Sequence, residues 1–346
     1  LGDWRLFFTG RERIKTITAD EVAGVAKRYF KRDNRVTGTF LPEDAPQRAI
    51  IPPAPSVGSI LKEFKPTAST LVSEDFEPTQ DNIMKRTQLT TARGVKLALL
   101  AKKNRGEAVT VDLRQHMGDE KNLFGKGAVP ELTGAMLMRG TSRYTREQLA
   151  DEFDRLKIAG GLTHFQTTRE HLLDALRLVA HVMREPSFPA SEFEQLRRQS
   201  LVALEASRAD PQAVAARALA KHFDQYPKGD VRHANSFDED LAELNAAKLD
   251  ELRAYHREFY GTVPAEMAIV GDFDAATVVP LVDELFGAWK APANFAPVLR
   301  RHADIAPLKT TLNTPDKENG VYTARLNLDL NIDDADYPAL MLANYI

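Results

Sequence analysis

From Pro42 to Gln80 the sequence loses all apolar periodicity and fills with proline, with IIPPAPSVG (Ile50–Gly58) at its centre. Proline fixes φ and removes a backbone donor, so this stretch is expected to run extended rather than enter a helix or a central strand. A segment of such length connects domains more readily than it closes a loop inside one. The chain is therefore expected to fold as separate bodies on either side of it. At 346 residues there is length for two or three domains, each with its own core.

On the N-terminal side, Ile17–Arg32 reads as a helix: Thr18 caps it, Glu21 completes a capping box, and Val22, Val25 and Tyr29 line one face. Arg35–Leu41 follows as a short strand ending at Pro42. The same order returns at Leu244–Gly271, where Leu249, Leu252 and Phe259 line a helix and Glu266–Gly271 (EMAIVG) forms a strand. The two units lie about 230 residues apart, a period suited to one whole α/β domain. Two unrelated helix–strand pairs are the plainer alternative.

Beyond the proline-rich stretch, Gly94–Ala101 and Val109–Gln115 read as strands, the second with Val109, Val111 and Leu113 alternating onto one buried face. Helices are expected over Thr145–Ala159, with Leu149, Phe153 and Leu156 on one side, and over Thr168–Arg184, burying Leu172, Leu176, Val179 and Met183. Ser191-x-x-Glu194 reads as a capping box opening a helix through about Ser207, and Asp210-Pro211 starts another. Val321–Leu330 alternates as a strand, and a further helix starts from Asp333. Strands and helices do not strictly alternate along the chain, which favours an α+β sandwich over a doubly wound sheet.

The chemistry turns on Gly127–Thr145, GAVPELTGAMLMRGTSRYT. Val129, Leu132 and Met136 make one helical face apolar, Gly140 ends the pattern, and Thr145–Gln148 opens the next helix as a capping box. The run resembles the helix that carries the inverted zinc motif H-x-x-E-H in the M16 (insulinase, pitrilysin-like) metallopeptidases. Aligned on Met136–Thr141, the resemblance puts Glu131, Gly134 and Ala135 where the family has His, Glu and His. Residues four apart share a helix face, so in the family two imidazoles grip one zinc while the Glu activates water. A glycine and an alanine can do neither.

The resemblance extends over nearly the whole chain, through GDEKNLFGKGA (Gly118–Ala128), Met183–Glu205 and Tyr255–Asp274 in order. It implies repeated α+β domains, each an antiparallel-rich sheet packed by helices. Residues 1–45 would end one such domain, 46–84 would form the linker, 85–292 a domain with a degenerate zinc motif, and 293–346 the start of another. The family's third zinc ligand falls on Ala203, with Glu205 two residues away on a different face. Where the family has a β-hairpin, Gly161 and Thr168 lie close together; either the hairpin is deleted or its residues are missing from this sequence. The family's Arg/Tyr pair, which contacts substrate, would lie beyond Ile346.

Other candidates are weaker. His181 and Glu185 sit one turn apart, but two ligands make no zinc site, and a solvated helix end is the favoured reading. His164 and His171 are seven apart, with His164 in an expected loop. Arg139, Arg143 and Arg146 could bind an acidic peptide or partner, though a solvated helix edge is favoured. Met136, Leu137 and Met138 are core packing, and neither G-x-S-x-G nor a phosphate-cradling glycine loop is present.

Composition adds bounds. With 43% hydrophobic and 27% charged residues the chain has an ordinary globular balance, and a net charge of −3 gives no reason to expect nucleic acid or a membrane as partner. The absence of cysteine removes disulfides and thiolate zinc sites and leaves the compartment open. No apolar run approaches the ~18 residues of a spanning helix. The opening LGDWRLFF has no signal-peptide pattern and reads as a chain entered partway through a fold.

The resemblance thus implies no catalytic residue, no metal ligand and no cofactor in this chain. Zinc would reside in an active partner half, in the same polypeptide or a separate subunit, with peptide as substrate and the bacterial periplasm preferred to the cytoplasm. The role implied is the chamber wall opposite that active half. A purely structural subunit, like the respiratory core proteins the family also resembles, is the alternative; a peptidase with a rebuilt metal site would need ligands the sequence does not place. Limited proteolysis is expected to cut within Ala45–Gln80 and leave a folded core beginning near Lys85. A chain resisting protease throughout that stretch would overturn the division.

Overall fold

The computed structural model describes residues 13–14, 16–36, 38, 73–314, 317 and 319–345. The chain divides into two units, Leu1–Thr70 and Leu71–Ile346.

In the first unit, α1 (Ala19–Tyr29) forms as its sequence predicts. The Thr18 hydroxyl accepts from the Glu21 amide, and the Glu21 carboxylate accepts from the Thr18 amide at 2.8 Å. No residue of this helix is buried, and Val22, Val25 and Tyr29 are each more than half exposed. Arg35, Val36 and Gly38 form no strand; the rest of the strand predicted at Arg35–Leu41, and the proline-rich stretch up to residue 72, lie outside the described residues.

The second unit is built on a six-stranded sheet. In chain order its strands are β1 (Gln88–Ala92), β2 (Val95–Ala101), β3 (Ala108–Gln115), β4 (Ala159–Gly160), β5 (His164–Thr168) and β6 (Ala265–Gly271). In space they run β1-β2-β6-β3-β5-β4, with β2 and β6 parallel and every other neighbouring pair antiparallel. The fold is the expected α+β arrangement. Alternation puts Val95, Leu97 and Leu99 of β2, Val109, Val111 and Leu113 of β3, and Met267 and Ile269 of β6 on one buried face. The opposite face carries Lys96, Asp112, His164 and Glu266.

Helices make up the rest of the unit, several of them packed on the buried face. Among them α2 (Gln80–Arg86) precedes the sheet, α3 (Val129–Met136) is the motif helix, and α4 (Arg146–Arg155) has the Thr145–Gln148 capping box. Then come α5 (Leu172–Arg184), α6 (Ala190–Ser207), α7 (Pro211–His222), α8 (Phe237–Ala246), α9 (Leu249–Phe259), α10 (Ala275–Leu285) and, near the end, α11 (Tyr337–Tyr345). The α5 stripe of Leu172, Leu176, Val179 and Met183 is fully buried, as its periodicity predicts, and α10 packs against α5, β1 and β2. The motif helix α3 packs against α9 and α6. Gly271 closes β6 at φ +139°, where a Cβ would stand 2.2 Å from the Ala108 carbonyl, so the sheet requires glycine there.

Four expectations are corrected. His164 lies at the start of strand β5, because pairing with Asp112 on β3 draws it out of a loop. The Ser191–Glu194 capping box is not made: Pro189 takes the N-cap position and the helix begins at Ala190, which places Ser191 inside the first turn. Val321–Leu330 forms no strand despite its alternation; Tyr322, Leu326 and Leu328 stand exposed, and among the described residues no strand pairs with it to supply ladder partners. The final helix starts at Tyr337 rather than Asp333.

The segment before α2 is bonded to the sheet. The Glu74 amide donates to the Lys103 carbonyl, the Lys103 amide donates back to the Glu74 carboxylate at 3.1 Å, and Phe76 lies beneath both Arg86 and Lys102. The protease-resistant core is therefore expected to begin near Ser73 rather than Lys85.

Just past β6, Asp272 is buried at 4% exposure and receives the Lys103 ammonium at 2.9 Å and the Arg169 guanidinium. Burial pushes its carboxyl pKa up, but the hydrogen bonds from Lys103 and Arg169 outweigh it and leave the group below its ordinary value. A depressed folded pKa means stability that is present above the unfolded value and lost as pH falls through the folded one. Asp272→Asn is expected to lower the unfolding free energy at pH 7 by roughly 1–3 kcal/mol, the usual worth of hydrogen bonds to a charged group. The deficit should shrink as both proteins are acidified below the carboxylate range. Urea denaturation at pH 7 and pH 3 checks this; an equal deficit at both would refute the ionic account.

Candidate functional site: a zinc-motif helix without ligands

The motif helix α3 is short because its two ends are fixed. Pro130 sits in its first turn, where the missing N–H costs nothing, and a 3₁₀ turn at Leu137–Arg139 leads to Gly140 at φ +137°. Leu132, Thr133 and Met136 are buried against the core, and the Thr133 hydroxyl donates back to the Val129 carbonyl at 2.7 Å. Glu131, Gly134 and Ala135 all lie on the exposed side. They share the helix face that the i, i+3, i+4 spacing predicts. A Cβ at Gly134 would meet only the Tyr260 hydroxyl at 3.7 Å, so nothing in the packing demands glycine there.

Helix α6 runs beside α3 and carries Ala203, exposed, its carbonyl accepting from the Ser207 hydroxyl at 2.9 Å. Glu205 pairs with Arg208 at 3.0 Å. Of Glu131, Gly134, Ala135 and Ala203, only the Glu131 carboxylate offers a metal-ligating atom. These residues do not fit a zinc ion, which needs three or four donors converging at about 2.0–2.3 Å. Among the described residues no group of three His, Asp or Glu side chains could hold a metal.

The remaining histidines serve local structure. His181 bonds the Thr141 hydroxyl through Nε2 at 2.9 Å and stands 3.6 Å from Glu185, while Ser142 donates to the Glu185 carboxylate. That hydroxyl bond, chiefly, lowers the Glu185 carboxyl pKa. His164 pairs through Nδ1 with Asp112 at 2.6 Å on the exposed sheet face. His171 sits at the N-cap of α5, beyond the far end of β5, so the strand's rise holds the two imidazole-bearing positions more than about 13 Å apart along the chain.

The three arginines do converge on one shallow cleft of about 410 Å³ between the Gly140 turn and the start of α6. Two of them share one carboxylate. Arg139 donates to Glu192 and Gln199, each at 3.0 Å, and Arg146 lies 3.6 Å from the same Glu192.

Two polar clusters escaped the sequence reading. Asp224 and His233 form a buried pair at 2.7 Å, with Glu239 3.7 Å from the other imidazole nitrogen. Arg232 is nine-tenths buried beside Asp230, Glu120 and Tyr226. The available signal was the polar density of Asp224–Asn235 between two helices.

Comparison with known proteins reaches a different stretch of the chain. Residues 246–346 match the sequence model of the peptidase M16 inactive domain. Over that stretch the sequence resembles the M16 family. Among solved structures it is similar to a peptidase M16 inactive domain from Pseudomonas fluorescens, at 22% identity and TM-score 0.49, over 64% of this chain and 54% of that one. It is also similar to the first half of the periplasmic protease PqqL from Escherichia coli, at 13% identity and TM-score 0.50, over 63% of this chain and 50% of that one. The chain thus spans about half the length of these structures. No curated protein sequence matches it.

Replacing Glu131→His, Gly134→Glu and Ala135→His together is expected to yield no efficient peptidase in this chain. Two imidazoles and a general base would return to the exposed face, but Ala203 still supplies no third ligand and no outer-shell partner orients the new ones. Stability should change by roughly 1 kcal/mol at most, since Gly134→Glu removes a helix-weakening glycine. Zinc content by elemental analysis and turnover of a fluorogenic peptide decide it. Strong zinc-dependent turnover would show that the third ligand is not at Ala203.

Proposed function

We propose that this chain is the non-catalytic half of an M16-type zinc protease, forming the chamber wall that encloses peptide opposite an active H-x-x-E-H half. The observation that carries the reading is α3 itself. Its core-facing side, Leu132, Thr133 and Met136, is buried, while the three positions that would bind zinc and activate water face outward as Glu131, Gly134 and Ala135. The scaffold of a metallopeptidase site is kept and its chemistry is gone.

What such a wall contributes is physical rather than chemical. Enclosing an extended peptide between two halves raises the local concentration of scissile bonds at the active zinc and excludes bulk water from the site. Zinc then belongs to the partner half. Similarity to the first half of a periplasmic protease supports placing the assembly in a periplasm, and no helix of the described residues is long and apolar enough to cross a membrane.

The test is reconstitution. Fluorescein-labelled casein is incubated with this chain alone, with the H-x-x-E-H half alone, and with both, in zinc buffer. This chain alone should bind no stoichiometric zinc and cleave nothing, and adding it should raise the active half's kcat/KM by roughly tenfold or more. Equal cleavage by the active half with and without this chain would overturn the chamber reading and favour a purely structural subunit. Cleavage by this chain alone would overturn its inactivity.

A further inference from the structure

After α10 the chain crosses the surface of the domain in extended form from Asn294 to Ala306, with no helix or strand of its own. Its side chains point largely to solvent: Leu299 is 67% exposed, and Ala296, Arg300 and Arg301 are exposed as well. Its main chain, by contrast, is bonded at intervals to the domain beneath. The Asn294 carbonyl accepts from the Asn122 side chain at 2.9 Å, and the Ala296 amide donates to the Gly118 carbonyl at 3.0 Å. The Leu299 carbonyl accepts from Arg232 at 2.8 Å, the Arg301 amide donates to the Tyr226 hydroxyl at 3.3 Å, and the Ala306 carbonyl meets His222 Nε2 at 2.7 Å. Phe295 adds a side-chain anchor, its ring 4.7 Å from that of His116, and Val298 and Ile305 are half-buried.

Arg232 is the member of this track that is held most firmly. Its side chain is 10% exposed, its Nε and Nη2 donate to both oxygens of Asp230 at 2.9 and 2.7 Å, and it also bonds Glu120. The guanidinium lies 4.2 Å from the centre of the Tyr226 ring, the same residue whose hydroxyl takes the Arg301 amide. A planar fork fixed through Nε and Nη2 by carboxylates and on its face by an aromatic ring leaves the two N–H groups of Nη1, one of which holds the strap's carbonyl. The bond from Arg232 holds the Asp230 carboxyl down at about 2, so the pair stays ionised throughout the ordinary pH range.

We propose that Gly118–Asn122 and Tyr226–Arg232 form a groove that reads the main chain of an extended polypeptide, that residues 294–306 are its resident occupant, and that Arg232 is its clamp. The ligand class is an extended peptide backbone of largely free sequence, because the contacts fall on amides and carbonyls while the side chains face water. The consequence is that the polypeptide leaving the domain is fixed in path before any later element folds onto it. This goes beyond the chamber reading and does not depend on it.

Hydrogen exchange by mass spectrometry on the full chain tests the proposal. Tyr226→Phe, which deletes one hydroxyl, and Arg301→Pro, which deletes the amide it holds, should each speed exchange across 294–306 by about threefold to tenfold. Arg232→Ala should do so more strongly and expose a new trypsin site at Arg300 or Arg301. Leu299→Ser, which alters only an exposed side chain, should leave exchange and cleavage unchanged. Strands β2, β3 and β6 serve as the internal reference, and their protection should hold in the Tyr226→Phe and Leu299→Ser proteins. Unchanged exchange of 294–306 in Tyr226→Phe and Arg301→Pro would overturn the proposal. So would a Leu299→Ser effect as large as that of Arg301→Pro, because it would mean that the side chain and not the backbone is held.

Discussion

The pairing of β6 with both β2 and β3 is the constraint on which the second unit depends. Strand β6 enters the sheet between two strands that come from far earlier in the chain, parallel to β2 through Val95–Ala265 and antiparallel to β3 through Val109–Gly271. The chain between Gln115 and Ala265, the motif helix included, leaves β3, adds β5 and β4 on its far side, and returns to pair β6 with β3. Without β6 the sheet would fall into a β1-β2 hairpin and a separate β3-β5-β4 piece, and a two-stranded hairpin is marginal at best on its own. Closing such a loop before its contacts form is entropically costly, and the cost is offset by the continuous apolar face of Leu97, Met267, Ile269 and Val111.

Gly271 and Asp272 show how tightly that closure is finished. The glycine lets β6 run hard against the Ala108 carbonyl, and the following aspartate takes Lys103 from beyond β2 and Arg169 from beyond β5. One buried carboxylate thus ties together the ends of strands from three parts of the sequence. An unpaired charge there would be costly, so burial and pairing have to occur together.

Periodicity made the long elements legible. The helices with a clean apolar stripe, α1, α4, α5 and α9, and the alternating strands β2, β3 and β6 all form where the sequence places them. What stayed hidden was structure held by partners rather than by pattern. Strand β1 buries only Ala92, and β4 is two residues long; both exist because a neighbouring strand supplies the ladder. The converse case is Val321–Leu330, where the pattern is strong and no strand among the described residues pairs with it. At the candidate site the positions of Glu131, Gly134 and Ala135 on one exposed face were legible, because a helix face follows from spacing alone. The Asn294–Ala306 strap was not legible, since a segment held by its backbone leaves no signature in its side chains.

The same separation explains how a motif helix can keep its shape while carrying none of its chemistry. In α3 the residues that hold the helix in place, Leu132, Thr133 and Met136, lie on the side opposite those that would bind metal. Replacing an outward imidazole or carboxylate by alanine or glycine removes no packed atom, leaves no cavity and strands no buried donor. A mid-helix glycine costs about 1 kcal/mol relative to alanine, which the surrounding core can absorb. Ligand loss on this face is therefore nearly invisible to folding, whereas a change at Met136 or Leu132 would open a hole in the core. A helix that keeps its packed residues on one side can vary on the other without losing its place in the core.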